Sequence, residues 1–261
     1  MTSYISAESS VYHMEADLRI SGNILFSAGS SLRTTDGITT TTIVGNPLNL
    51  GYIEGVGTHA RFKGIAGFVQ ISAENVMVVD CGNSYLREVN RESLQTSWYA
   101  GNGSCRWNQE PFGWYEQSFC YPSSIILDMM TLTQYFVTDT GYSSVRVFEY
   151  ETNHSPPTLG SDYRSYLAEK LLRPQGIAQH HISGDLCVSV SCGVNVIEYL
   201  NCGHVKIVIG APADYGFQDG DFSESKFSES QEIVIINENE LLYDDPGNNS
   251  TRLLNFDTRK T

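Results

Sequence analysis

The chain has 261 residues, of which 41% are hydrophobic, and its 30 acidic and 16 basic residues give a net charge of −14 at pH 7. The acidic balance and the lack of a Lys/Arg cluster argue against a nucleic-acid-binding protein, because phosphate backbones are bound by basic patches. No apolar run reaches the ~20 residues of a membrane-spanning helix, and the first ten residues do not have the pattern of a signal peptide.

Short apolar runs bounded by turn residues follow one another along the chain and predict β-strands. These runs cover residues 24–26, 38–44, 76–79, 135–137, 186–188 and 241–242. A helical pattern is present at residues 162–172 and ends before Pro174. The sequence therefore predicts an all-β fold made of short strands.

A phrase of about twelve residues recurs at 76–87 (VMVVDCGNSYLR), 135–146 and 241–252. In each copy an Asp precedes an Arg by seven residues, and the pairs are Asp80/Arg87, Asp139/Arg146 and Asp245/Arg252. The closing position of the repeat is predicted at Arg33, Arg87, Arg146, Glu198 and Arg252. A second marker is a pair of apolar residues six apart: Tyr12/Leu18, Phe62/Phe68, Phe119/Ile125, Leu171/Ile177 and Phe227/Ile233.

Four short strands in each unit of about 50 residues are typical of a β-propeller blade. We predict a single propeller domain over residues 1–261, with blades at 8–45, 46–101, 102–160, 161–210 and 211–261. Residues 2–7 are expected to add the last strand of the fifth blade, which would remove two exposed sheet edges. The alternative is a six-bladed propeller of which this chain is an incomplete part.

Residues 51–55 (GYIEG), 60–62 (ARF), 78–87 and 100–101 resemble the NHL repeat, and residues 216–220 and 245–252 follow the same pattern. The resemblance covers nearly the whole chain. It is weakest in blades one and four, where Ser27 and Ser191 stand near the Asp position and one residue is missing. It implies a propeller similar to extracellular NHL-repeat proteins of invertebrates that have no assigned activity. The family usually has six blades.

The residues that recur in the phrase are expected to have a structural role. An Asp at a turn between strands caps backbone N–H groups, and the Arg seven residues later pairs with a carboxylate or a carbonyl. Phe62, Phe119 and Phe227 are expected to fill the seams between blades.

Six cysteines bear on the cellular compartment, and none falls in a CxxC pair. Cys105 and Cys120 flank an aromatic segment and are the candidate disulfide, with Cys187 and Cys202 as a second candidate pair. A disulfide bond favours an oxidising compartment, so we predict an extracellular or secretory-pathway protein. The candidate glycosylation sites are Asn102, Asn153, Asn248 and Asn249. Chance alone would give nearly as many acceptor patterns in a chain of this composition.

The sequence shows no convergent catalytic set. Its six histidines do not share a repeat phase, so no metal site or cofactor is predicted, and no catalytic residue is assigned. A calcium site remains an alternative for the acidic residues of blade five, which are Asp219, Asp221, Glu224, Asp244 and Asp245.

The leading hypothesis is a non-catalytic interaction module that binds a protein, peptide or glycan through loops on one face of the propeller. Trp107 and Tyr121, beside the candidate disulfide, are the candidate binding residues. The alternatives are a propeller enzyme, either a lyase or a metal-dependent hydrolase with an axial acidic or metal site, and a cytosolic adaptor of the ubiquitin-ligase type.

Overall fold

The computed structural model describes residues 10–105, 118–149, 165–166, 171–198, 205–210, 214–229 and 231–261. These residues form five antiparallel sheets that follow one another along the chain. The prediction of an all-β chain with about five propeller blades is confirmed. The described ranges contain no helix with the length and hydropathy needed to cross a membrane.

The chain divides into two compact units, and the first comprises Met1–Ile125 and Glu151–Ser161. Sheet 1 of this unit consists of β1 (Val11–Ala16), β2 (Ile24–Ala28), β3 (Ser31–Thr35) and β4 (Thr40–Gly45). Sheet 2 consists of β5 (Gly55–Val56), β6 (Ile65–Gln70), β7 (Asn75–Asp80), β8 (Tyr85–Asn90) and β9 (Gln95–Gly101), in the order β5-β9-β8-β7-β6. Sheet 3 begins with β10 (Pro122–Leu127).

The second unit comprises Ile126–Tyr150 and Asp162–Thr261. Sheet 3 continues with β11 (Gln134–Asp139), β12 (Ser144–Glu149) and β13 (Ser165–Tyr166). Sheet 4 consists of β14 (Ile177–Gln179), β15 (Leu186–Val190), β16 (Gly193–Ile197) and β17 (Val205–Ile209). Sheet 5 has three strands in the described part of the chain, β18 (Ile233–Asn237), β19 (Glu240–Asp245) and β20 (Ser250–Asn255).

Sheet 5 repeats the pairing of sheet 2 at a constant offset. Asp221 pairs with Lys260 as Val56 pairs with Gln95, so the last residues align with the start of β9. The predicted strand at residues 2–7 falls within residues 1–9, which lie outside the described ranges.

Aromatic side chains pack between neighbouring sheets within each unit. Phe62 is buried with Leu25 of sheet 1 and Phe68 of sheet 2, and Phe227 is buried with Val194 of sheet 4 and Tyr243 of sheet 5. Each fully buried Phe stabilises the fold by about 1.5–3 kcal/mol. The prediction that these two rings fill seams between sheets is confirmed, and Phe119 is buried as well.

Two positions of the predicted repeat are wrong. Val78 pairs with Arg87 and Val188 pairs with Asn195, so Asn195 holds the closing position of sheet 4, which had been assigned to Glu198. In sheet 1, Met14 pairs with Phe26 as Phe68 pairs with Val78 in sheet 2.

Met14 therefore holds the place that had been assigned to Leu18, and both Tyr12 and Leu18 are exposed. Two apolar residues six positions apart occur too often by chance to fix the phase of a repeat.

The predicted disulfide between Cys105 and Cys120 is present, with the two Cα atoms 4.4 Å apart. Cys187 is a buried thiol, and Cys202 lies outside the described residues.

Removing the disulfide is expected to destabilise the protein, because its covalent loop restricts the unfolded chain. A loop of about 15 residues contributes about 3 kcal/mol. The variant Cys105→Ala/Cys120→Ala should lose about that much free energy of unfolding in urea. The wild type with a reductant is the control and should match the variant, whereas the variant should not respond to the reductant. Equal stability with and without the disulfide would contradict the prediction.

Candidate functional site

The Asp and Arg of the recurring phrase form a buried pair at one end of sheet 2. Asp80 Oδ2 lies 3.2 Å from Arg87 Nη1, and both side chains are fully buried. The 3₁₀ turn Cys81–Asn83 brings Asn83 back so that its amide donates to Asp80 at 2.8 Å. The backbone N–H of Lys63 donates to Asp80 Oδ1 at 2.9 Å. Burial raises the pKa of the Asp80 carboxyl, and these three donors oppose that rise.

Arg87 also connects three segments of its sheet. Its guanidinium donates to the carbonyl oxygens of Arg61 and Ile53. Its Cζ lies 4.3 Å from the centre of the Phe62 ring and 5.0 Å from that of Tyr52. Each of these carbonyls also accepts from the backbone N–H of the other residue. The arginine adds a second donor to both, and it covers the aromatic seam.

Sheet 5 has the same network 165 positions later. Arg252 Nη1 lies 3.3 Å from Asp245 Oδ2, and its guanidinium donates to the carbonyls of Lys226 and Gln218. Asn248 takes the role of Asn83. In sheet 3, Arg146 Nε lies 3.3 Å from Asp139 Oδ2. The six motif residues therefore lie in three carboxylate–guanidinium pairs.

Sheets 1 and 4 replace this network with a shorter turn. Four residues, 81–84, separate the paired Asp80 and Tyr85, whereas two residues separate Ala28 from Ser31 and Val190 from Gly193. Ala28 and Val190 hold the Asp position. The serines that the sequence places near this position, Ser27 and Ser191, are each one residue away from it. The deletion is two residues long, and the predicted length of one was wrong.

A serine hydroxyl takes over part of the lost bonding in the short-turn sheets. Ser189 Oγ accepts from the N–H of Gly176 at 2.7 Å and donates to the carbonyl of Gln231 at 2.8 Å. Ser27 Oγ accepts from the N–H of His13 at 3.1 Å. These bonds connect the short hairpin to the first strand of its own sheet, and in sheet 4 also to the segment that leads into β18.

A polar cleft of about 440 Å³ lies beside the short turn of sheet 4. We call it the turn cleft, and its lining residues are Arg173, Gln175, Ser191, Tyr215, Ser228, Glu229 and Gln231. Residues 173–175 lead into β14, Ser228, Glu229 and Gln231 precede β18, and Ser191 is the first residue of the two-residue turn. A four-residue turn of the motif type would add two residues at Ser191, so the deletion leaves room for the cleft.

Two cleft residues have a left-handed backbone. Arg173 has φ of 51° and Glu229 has φ of 59°. The same repeat position, two residues after the buried aromatic or leucine, is held by Gly64 with φ of 103° and by Tyr121 with φ of 54°. This conformation suits glycine, and a Cβ on Gly64 would meet nothing within 4 Å. For other residues it costs about 1–2 kcal/mol, and such strain is concentrated at functional sites.

Five polar side chains of the turn cleft have no side-chain partner within the described residues. Arg173 and Glu229 are exposed and oppositely charged, and neither forms an ion pair or a side-chain hydrogen bond within the described residues. The side chains of Ser191, Tyr215 and Gln231 likewise form no ion pair or hydrogen bond with another described residue. The cleft therefore presents one cation, one anion, hydroxyls and an amide in a small volume.

Replacing Glu229 by glycine is expected to stabilise the protein. Glycine relieves the left-handed strain, and it also adds freedom to the unfolded chain, so the net gain should be about 0.5–1 kcal/mol. Gln231→Gly is the matched control: its backbone φ is not positive, and it should lose about 0.5–1 kcal/mol. Thermal or urea unfolding measures both, and a destabilised Glu229→Gly would contradict the strain at this position.

Of the two binding residues predicted from the sequence, the structure describes one. Tyr121 is 59% exposed and occupies the left-handed position that Arg173 and Glu229 hold in their own repeats. Trp107 falls outside the described residues.

The candidate glycosylation sites also differ in what the structure shows. Asn102 is exposed, and its Oδ1 accepts from the N–H of Ser104 at 3.0 Å. The amide of Asn248 donates to Gly216 O and to Asp245, both at 2.8 Å. Asn249 is exposed with φ of 51°, and Asn153 lies outside the described residues.

Two of the acidic residues of sheet 5 pair with one arginine. Asp219 and Asp245 both contact Arg252, at 2.7 and 3.3 Å. Burial, with the charges of Asp245 and Glu232, raises the pKa of Asp244. Within the described residues, no three His, Cys, Asp or Glu side chains gather in a group that could hold a metal ion.

A smaller cavity of about 200 Å³ lies against β15 and the loops around His180 and Glu238. Lys206 Nζ lies 3.2 Å from Asp185 Oδ2 at this cavity, and His180 Nε2 contacts the carbonyl of Glu238 at 2.9 Å. Burial raises the pKa of the Cys187 thiol to about 12. At neutral pH this thiol is protonated and is therefore a poor nucleophile.

No family model and no curated protein matches the chain. Solved structures do. A nidogen/laminin complex matches with a TM-score of 0.65 and 12% identity over 97% of this chain and 78% of the matched chain. A streptogramin B lyase matches with a TM-score of 0.60 and 12% identity over 98% and 69% of the two chains. An auxiliary nutrient binding protein from Bacteroides ovatus matches with a TM-score of 0.66 and 11% identity over 97% and 56%.

This chain therefore has a β-propeller fold. At these identities the likeness concerns the fold alone, and propellers of both binding and lyase type are among the similar structures.

Proposed function

We propose that this chain is a non-catalytic binding module that holds a protein, peptide or glycan ligand in the turn cleft. The observation that carries the proposal is the pair of strained, exposed and oppositely charged residues, Arg173 and Glu229, beside a shortened turn. Glycine would remove the strain at both positions. Retaining a large charged side chain at each is explained by contacts with a ligand.

The chemistry of the lining supports binding over catalysis. An enzyme that cleaves or eliminates needs an acid and a base placed around the reacting bond. Among the described residues that line the turn cleft, Glu229 is the one carboxylate, and there is no histidine or cysteine. The buried carboxylates Asp80 and Asp245 are each engaged by an arginine and an asparagine.

We further propose that the propeller is of the NHL type and acts outside the cytosol. The Asp–Asn–Arg network of sheets 2 and 5 is the three-dimensional form of the phrase that resembles the NHL repeat. The Cys105–Cys120 disulfide supports an oxidising compartment, since such bonds rarely persist in the cytosol. Nidogen, in its complex with laminin, is an example of a similar propeller in a protein assembly.

The test is a binding screen of the purified chain on an oligosaccharide array and a peptide array, repeated with Ser191→Trp. An indole at Ser191 fills the turn cleft from a turn position that is partly exposed. We expect saturable binding of a ligand by the wild type and loss of that binding in the variant, with unchanged thermal unfolding. Binding that is equal in both proteins, or chemical conversion of the bound ligand in a mass-spectrometric assay, would overturn the proposal.

A further inference from the structure

The charge and hydrogen-bonding groups of the turn cleft select one class of ligand. We propose that the cleft binds a short neutral oligosaccharide, of about one or two sugar units. This inference rests on the proposed function, since it names the ligand of that same cleft.

The charge balance of the cleft favours a neutral ligand. Among the described lining residues, Arg173 is the one cation and Glu229 the one anion, so their charges cancel although the whole chain carries −14. A charged ligand would meet one attractive and one repulsive group, because Arg173 attracts an anion that Glu229 repels, and the reverse holds for a cation. A neutral ligand can accept from the guanidinium and donate to the carboxylate at once.

The remaining polar groups match the hydroxyls of a sugar. Each sugar hydroxyl both donates and accepts, and so do the amide of Gln231 and the hydroxyls of Ser191 and Ser228. Tyr215 is 54% exposed and offers an aromatic face with a polar tip, which suits the mixed apolar and polar faces of a pyranose ring. The lining is predominantly polar, unlike the apolar lining of most sites for drug-like ligands.

The size of the cleft argues against a protein partner. Its volume of about 440 Å³ lies within the range of about 300–1,000 Å³ of small-molecule sites. Specific protein interfaces bury about 1,200–2,000 Å² and depend on clustered aromatic anchors and arginines. Tyr215 is the one aromatic side chain in the part of the lining that the structure describes.

The glycine variants provide the sharpest test, because they should remove binding while stabilising the fold. The probes are an array of neutral, sialylated and sulfated oligosaccharides and a peptide array, with titration of the best hit by calorimetry. We expect at least one neutral mono- or disaccharide to bind saturably, and Arg173→Gly and Glu229→Gly each to raise its Kd at least tenfold. A raised thermal midpoint in the same variants would exclude misfolding as the cause.

Leu132→Gly is the matched control. Leu132 is exposed with φ of 56° in the turn between β10 and β11, and it is not a lining residue of the cleft. This variant should also be stabilised, but its Kd should stay within twofold of the wild type.

The outcomes separate the two proposals. Binding of a sialylated or sulfated glycan, or of a peptide, that depends on Arg173 and Glu229 would overturn the neutral sugar and leave the proposed function standing. Binding that neither variant weakens, or no binding on either array, would overturn both.

Discussion

Replacing Arg87 with alanine is expected to lower the free energy of unfolding by about 3–5 kcal/mol, because it leaves an uncompensated carboxylate in the core. Asp80 is fully buried, and after the change it would keep only Asn83 and the N–H of Lys63 as donors. The carbonyls of Arg61 and Ile53 would each lose a hydrogen bond from the guanidinium. Both carbonyls keep the backbone hydrogen bonds that they accept from each other's N–H, so the buried carboxylate accounts for most of the loss.

Arg33→Ala is the matched control for Arg87→Ala. Arg33 occupies the equivalent position in sheet 1, where the Asp position is Ala28, and its Nε donates to Ser31 Oγ at 2.9 Å. Its loss should cost about 1 kcal/mol. Urea unfolding at pH 7 measures both, and similar losses in the two variants would show that the buried carboxylate is not the cause. If Arg87→Ala does not fold, Arg146→Ala tests the same pair in sheet 3 at a side chain that is 13% exposed.

Replacing Asp17 with asparagine should lower the free energy of unfolding by about 3–5 kcal/mol, because a buried arginine would then have no carboxylate to pair with. Asp17 lies directly after β1 and binds Arg91 through two parallel hydrogen bonds of 2.7 Å. Both side chains are almost fully buried. The same carboxylate accepts from Thr34 of β3 at 2.8 Å, so one group connects sheet 1 to the end of β8 in sheet 2.

The Asp17 pair also predicts a pH dependence. Burial alone raises the pKa of Asp17, but the donors Arg91 and Thr34 and two backbone N–H groups outweigh burial and lower the pKa to about 2 from an ordinary 3.8. A depressed pKa stabilises the fold above the unfolded-state pKa. This contribution, about 2 kcal/mol, is complete above about pH 4.5 and is lost as the pH falls through 2.

The measurement is the difference in free energy of unfolding between the wild type and Asp17→Asn from pH 6 to pH 2. This difference should be constant above about pH 4.5 and should shrink below it. Glu92→Gln is the control, because Glu92 is exposed in the turn between β8 and β9, and its carboxylate forms no hydrogen bond or ion pair within the described residues. A difference that does not vary with pH would contradict the role of the Asp17 carboxylate.

Part of the turn cleft could have been predicted from the sequence. The weak repeats at 8–45 and 161–210 mark the sheets with short turns, and a break in a repeating phrase is a signal for a changed loop. The left-handed position was also accessible, since Gly64 stands two residues after Phe62 and its counterparts are Tyr121, Arg173 and Glu229. Tyr121 was selected for its aromatic ring alone, and its three counterparts were missed.

Other features depended on contacts between residues far apart in sequence. Asp17 and Arg91 belong to no repeated phrase, and 74 positions separate them. The partners of Arg87 lie 26 and 34 positions earlier, in segments with no strand pattern. Only the packing of sheet 1 against sheet 2 and the path of the loop before β6 bring these groups together.

The sequence by itself determined the all-β fold, the count of five sheets, the Asp–Arg spacing within each motif hairpin and the Cys105–Cys120 pair. Those features follow from local periodicity, from turn chemistry and from short separations along the chain. The register of sheets 1 and 4, the buried Asp17–Arg91 pair and the turn cleft were decided only by the tertiary structure. A deletion of two residues in a hairpin changes which side chains face each other across neighbouring sheets, and no local pattern records those neighbours.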